Sequence, residues 1–317
     1  MSTVAHSTSV PLKSILVATD FSPASEKPLR HGLAIAHRYG TKFFLAHVVS
    51  SLGLNMAGPD AIFAAEAAAH RDARNLEEHL RTTGAFGHLE HLVIVRQGEV
   101  WKQLEIILRQ EHVDLVVLGT HGRHGFRKLV LGSVAEQIFR NADCPVLTVG
   151  PECYDEPRVD PLRVNRKFLF ATDFGDASVQ ALPYGISFAN QFHAQLVLFH
   201  ALSPVLMPED FRTYTSTDVA QMQEDARCFA LGRLARLVAD AQWAVRPELV
   251  VETESLDSPS KDILETAEKL RVDLIIMGLH RSNHTRTASH TPWTTAYEVV
   301  CGAGCPVLTV RSGIRPS

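Results

Sequence analysis

Short apolar runs recur along the chain, and each is followed by a stretch in which apolar residues return every three or four positions. In the first half the runs are Ile15–Ala18, Phe43–Val49, Leu92–Val95, Leu115–Leu118 and Val146–Val149. Helical spacing falls between them. It is carried by Leu29, Leu33 and Ala36; by the Ala-rich stretch from Asp60 to about Thr83; by Trp101, Leu104, Ile107 and Leu108; and by Val134 to Arg140. Ser22-Pro23 reads as an N-cap with proline at the first helical position. The second half repeats the alternation with runs at Phe168–Ala171, Leu196–Phe199, Leu249–Val251, Leu274–Met277 and Val307–Val310. Continuous apolar strands alternating with helices predict a parallel sheet covered on both faces. The predicted fold class is therefore α/β: two tandem Rossmann-like domains, each an open five-stranded parallel sheet with helices on both faces. Such sheets bind ligands beyond the carboxyl ends of their strands, where the strand order reverses. The residues just after the first and fourth strands are where chemistry is expected.

The two halves also match letter by letter. SILVATDFSPAS from Ser14 is echoed by FLFATDFGDAS from Phe168, which places Asp20 and Asp173 at the same position. VDLVVLGTHGR from Val113 is echoed by VDLIIMGLHRS from Val272, and CPVLTV occurs at Cys144 and again at Cys305. Three landmarks in one order imply a duplicated domain, because a period of this length exceeds any solenoid repeat. PECYDEPRVDPLRVNR, with three prolines and no periodicity, reads as a linker. The expected division is residues 1–150, a linker over 151–166, and residues 167–317.

Composition narrows the function classes. The 317 residues carry a net charge of −4, with 45 % hydrophobic and 21 % charged residues, as in an ordinary globular protein. No basic stripe marks a nucleic-acid partner, and no polybasic cluster marks an anionic membrane. The opening MSTVAHSTSV lacks the basic and apolar regions of a secretory signal, and no apolar run reaches membrane-spanning length. Five cysteines without a paired framework fit a reducing compartment. A soluble, cytoplasmic protein is expected.

The segment after the fourth strand of the first half reads G-T-H-G-R-H-G-F-R-K-L-V-L-G-S. Glycine lets a backbone approach phosphate oxygens closely with its N–H groups converging, and the start of the next helix adds its own free amides. Gly119, Gly122, Gly132 and Ser133 thus have the chemistry of a phosphate cradle. Their spacing, G-x2-G-x9-G-[ST], resembles the nucleotide signature of the ATP-binding branch of the universal stress protein family. ATDFS after strand one and the closing CPVLTV are similar to that family as well, so the resemblance covers nearly the whole chain as two copies.

The resemblance implies binding of ATP or another adenine nucleotide, with Mg²⁺ as an optional companion, in a stress-response or regulatory protein. It places Ala18 and Asp20 beside the adenosine, Val48 on the adenine, and Leu118 and Gly119 along the ribose. Gly122, Gly132, Ser133 and Val134 would hold the phosphates, with His121 contributing through backbone or ring. Structural alternatives stand beside these roles. Asp20 could be a helix-entry cap, the glycines could serve a tight turn, Val48 could be core alone, and His121 and His124 could be solvated. The family's habit of associating through its fifth strand implies that Val146–Val149 pairs antiparallel with Val307–Val310 within one chain, and a homodimer stays open.

The second copy departs from the pattern. Gly278 survives, but Arg281 replaces the second glycine, and the third position falls on Thr291 or Trp293. The expectation is a retained fold with a lost site, in which Thr294 or Thr295 caps the next helix. Arg281, Arg286, His280, His284 and His290 leave that segment cationic. Elsewhere there is no P-loop, nucleophile elbow or kinase set. Cys301 and Cys305 read as small apolar residues, with metal or redox chemistry the alternative. No general base with Mg²⁺-binding carboxylates is visible, so hydrolysis of ATP would be slow at most. A scaffold with an empty loop is the third reading.

Overall fold

A computed structural model describes residues 10–50, 58–120, 131–153, 166–202, 215–253, 258–280 and 292–313. His121, Gly122, His124, Arg281 and Thr291, and most of the linker, lie outside the described residues. The chain forms two units, the first built mainly on Pro11–Arg163 and the second mainly on Val164–Gly302 and Thr309–Arg315.

In the first repeat the strands are β1 (Ser14–Ala18), β2 (Lys42–Ser50), β3 (His91–Gly98), β4 (Leu115–Gly119) and β5 (Val146–Val149). The helices are α1 (Glu26–Tyr39), α2 (Pro59–Thr82), α3 (Val100–Gln110) and α4 (Ser133–Asn141). The strand order is β3-β2-β1-β4-β5, with all four ladders parallel. Right-handed crossovers then put α1 and α2 on one face and α3 and α4 on the other, and α3 does pack on α4. The second repeat contains β6 (Lys167–Ala171), α5 (Asp176–Phe192), β7 (Gln195–Leu202), α6 (Ser216–Val238), β8 (Glu248–Thr253), α7 (Pro259–Lys269), β9 (Leu274–Leu279), α8 (Pro292–Gly302) and β10 (Val307–Arg311). Its order, β8-β7-β6-β9-β10, mirrors the first. This is the fold read from the sequence.

The core explains why the runs are continuous. Ile15, Leu16, Val17, Phe43, Phe44, Leu45, Leu115 and Leu147 are all at most 1 % exposed. Covering both faces of a parallel sheet buries successive side chains, each large one stabilising the fold by about 1.5–3 kcal/mol. β3 is the exception. It lies at the sheet edge, and Leu92 is 45 % exposed. The repeated Val-Asp-Leu has a structural reason. Asp114 Oδ2 accepts the amides of Lys13 (2.7 Å) and Ser14 (3.0 Å), tying the start of β1 to that of β4. Asp273 does the same for the Lys167 amide at 3.2 Å. Among the described residues no helix is long and apolar enough to cross a membrane.

One expected cap is refined and another is corrected. Ser22 has the extended backbone of an N-cap, and Pro23 follows, but they open a three-residue 3-10 turn and Ser22 makes no capping bond. Its hydroxyl donates to Asp20 instead. In the second repeat α8 begins at Pro292, so Thr294 and Thr295 sit inside its first turn and not at the cap.

Candidate functional site

The strand order reverses at β1, whose chain connection runs to β2 on one side while β4 pairs on the other. The carboxyl ends of β2, β1 and β4 therefore lie side by side. Ala18, at the end of β1, is in register with Ala46, and the Thr19 amide donates to the Ala46 carbonyl at 2.9 Å. Val48 is buried near the end of β2. Leu118 is buried and Gly119 closes β4.

Asp20 organises the turn beyond β1. Its Oδ1 accepts the Ser22 amide (2.9 Å), the Ser22 hydroxyl (2.6 Å) and the Ser25 hydroxyl (2.5 Å). Phe21 occupies the left-handed region at φ 59, which is costly for a residue with a Cβ. The turn holds it there. The Phe21 amide donates to Thr19 Oγ1 at 3.0 Å, and its ring lies 4.5 Å from the His47 imidazole. His47 Nδ1 in turn donates to the Thr19 carbonyl at 2.7 Å. Asp20 thus has a structural task whatever it binds. Phe21 and His47 were not singled out from the sequence, although His200 stands at the matching place in the second copy and could have flagged His47.

After β4 the chain leaves the described residues at Thr120 and returns at Leu131. The Gly132 amide donates to the Thr120 carbonyl at 2.8 Å, so the two ends of the glycine-rich segment are pinned together. Gly132 is the N-cap of α4, with Ser133 and Val134 in its first turn, and Ser133 is exposed. The first amides of a helix have no intrahelical acceptor and carry the positive end of its dipole. Of the expected site residues, Ala18, Asp20, Val48, Leu118, Gly119, Gly132, Ser133 and Val134 are thus at the switch point or at the start of α4.

The second repeat reproduces the β1 turn and changes what faces it. Asp173 Oδ1 accepts the Gly175 amide at 2.8 Å and the Ser178 hydroxyl. Phe174 has φ 60 and lies 4.4 Å from His200, whose Nδ1 donates to the Thr172 carbonyl at 2.8 Å. Two further contacts face the second-repeat turn. His280 Nε2 stands 3.6 Å from Asp173 Oδ2, and the Arg233 guanidinium lies 4.1 Å from the Phe174 ring centroid. Burial raises the Asp173 carboxyl, but the Ser178 and Gly175 hydrogen bonds and His280 outweigh it and hold the group below its ordinary value. A Cβ at Gly278 would lie 2.4 Å from the Ala177 backbone, so this surviving glycine seats β9 against the start of α5.

Fold, duplication and switch-point geometry define the class, a doubly wound α/β protein made of two copies of one domain. The chain belongs to the universal stress protein family, which matches it over residues 11–150 and again over 165–311. A universal stress protein of Methanocaldococcus jannaschii is 29 % identical over 142 residues, covering 43 % of this chain and 81 % of the relative. Universal stress protein A homolog 1 of Coxiella burnetii is 32 % identical over 142 residues, covering 43 % of this chain and 95 % of the relative. Both are about one repeat in length. Across both repeats the chain resembles the crystal structure of a universal stress protein from Archaeoglobus fulgidus, with TM-score 0.63, 21 % identity, and coverage of 95 % of this chain and 98 % of that one. That last likeness is one of fold.

Proposed function

We propose that the first repeat binds one molecule of ATP or a related adenine nucleotide, and that the protein acts in the cytoplasm as a nucleotide-responsive stress factor. The supporting observation is the contrast between the copies after the fourth strand: Gly119, Gly122, Gly132 and Ser133 in one, Arg281 and no third glycine in the other. In this reading Ala18, Asp20 and Val48 face the adenosine, Leu118 and Gly119 flank the ribose, and the segment from His121 to Val134 takes the phosphates. Three or four charge-assisted bonds of roughly 1.5–3 kcal/mol each, less the cost of association, support about −8 kcal/mol, or micromolar affinity. In this reading Mg²⁺ enters with the phosphates.

The reading extends to the architecture: domains at 1–150 and 167–317 about a linker, with the identical fifth strands pairing inside one chain. Turnover is slow, with steady-state phosphate release below about 1 s⁻¹. Calorimetric titration with ATP tests the site. The expected result is micromolar affinity that falls at least about a hundredfold, about 2.7 kcal/mol, in Gly122→Arg. Undiminished affinity in that folded variant would sink the reading.

A further inference from the structure

Beside the Phe21 turn, on the α1–α2 side of the first repeat, lies a cleft of about 460 Å³. Phe21 and Leu29 are among its apolar lining. Glu26 of α1 and Asp72 and Asn75 of α2 bring polar and negative groups to its rim. Glu26 also pairs with Arg30, but among the described residues Asp72 has no cationic partner. No Lys or Arg among the described residues lies over the Phe21 ring.

The second repeat shows what such a ring accepts. Phe174 has the same left-handed backbone and the same histidine neighbour, and the Arg233 guanidinium from α6 sits on it at 4.1 Å. Among the described residues no carboxylate pairs with Arg233, so the ring is its partner there. An aromatic face attracts a cation through its quadrupole, and guanidinium adds planar stacking. The duplicated domain thus carries, in one copy, a built-in occupant for a place that the other copy leaves as a cleft with carboxylates at its rim.

We propose that the cleft beside Phe21 binds a guanidinium group, or a similarly flat organic cation, stacked on Phe21 and faced by Asp72. This cleft lies on the α1–α2 side of the sheet, whereas the glycine-rich segment leads into α4.

Heteronuclear NMR of the labelled full-length chain tests it, with methylguanidinium as the free cation, a blocked Gly-Arg-Gly peptide as the protein-borne form, and urea as the neutral control. Saturable millimolar shifts around Phe21 and Asp72 are expected with the two cations and none with urea. Asp72→Asn, on an exposed helix face, should weaken binding about twofold to fivefold, as should Phe21→Leu. Tighter binding of the peptide than of methylguanidinium would identify an arginine side chain as the ligand, and the reverse a free small cation. No saturable response, an equal response to urea, or undiminished affinity in Asp72→Asn would overturn the site.

Discussion

The turns after β1 and β6 are nearly the same object, whereas the segments after β4 and β9 differ in sequence. Both turns hang on one aspartate, a left-handed phenylalanine and a histidine bonded to the preceding threonine carbonyl. Since the copy that lost its glycines keeps this turn, Asp20 and Asp173 are explained by local structure: they entrench the bend that starts the first helix. An aspartate at this place is therefore weak evidence for a ligand. In the proposed reading the information about binding lies in the glycines, whose loss from the second copy cost it neither its sheet nor its turn. The second copy also closes over itself, with His280 on Asp173 and Arg233 on Phe174.

The largest effect expected from breaking this symmetry is on stability. In Gly278→Ala the new Cβ would meet Ala177 backbone atoms at 2.4 Å, and backbone cannot rotate away as a side chain can. A loss of about 3–4 kcal/mol, read as a lower denaturation midpoint of the second repeat, is expected. A midpoint within error of the unmodified chain would show that this glycine is not what seats β9 on α5.

The next effect is on the ligand. Gly132→Trp should block the start of α4 and weaken ATP binding about a hundredfold, about 2.7 kcal/mol, with circular dichroism unchanged. Binding that survives would place the phosphates elsewhere.

A pH experiment separates the copies further. Burial, helped by Lys27, lowers the His31 pKa from 6.5 to about 4, and its Nε2 is buried without a hydrogen-bond partner. The unfolded chain therefore takes up this proton first, so stability falls as pH drops from about 6.5 towards 4 and levels off below that. The equivalent residue in the second repeat is Tyr184, a buried phenol in place of the imidazole. Acid should cost the first repeat about 3 kcal/mol that His31→Tyr spares. Parallel pH curves for the two proteins would refute the assignment.

The smallest effect tests the shared turn. Asp20→Ala and Asp173→Ala should each cost about 1–2 kcal/mol by denaturant titration near neutral pH, and nearly equally. A cost confined to one copy would end the claim that the turns are equivalent.

The sheet was legible because a parallel sheet buries both faces, which prints each strand as an unbroken apolar run; all ten expected strands are present. The edge position of β3 was not legible, because Leu92–Val95 reads like any buried run. Ser-Pro rightly marked Ser22 as an N-cap, but only the folded turn brings the Asp20 carboxylate to its hydroxyl in place of a capping bond. The left-handed backbone of Phe21 has no residue signature, since such positions are expected of glycine or asparagine. Arg233 on Phe174 joins residues far apart in the chain, and only folding brings them together. The glycines were legible as a pattern, and their contrast between copies could be read by eye.

The most direct measurement of the central claim is a count. Native mass spectrometry of the full chain with saturating ATP should show a single bound nucleotide per chain, lost in Gly122→Arg but kept in Asp173→Asn. Two nucleotides per chain would mean that the second copy still binds without its glycines. None would mean that the glycine-rich segment of the first copy is only a turn.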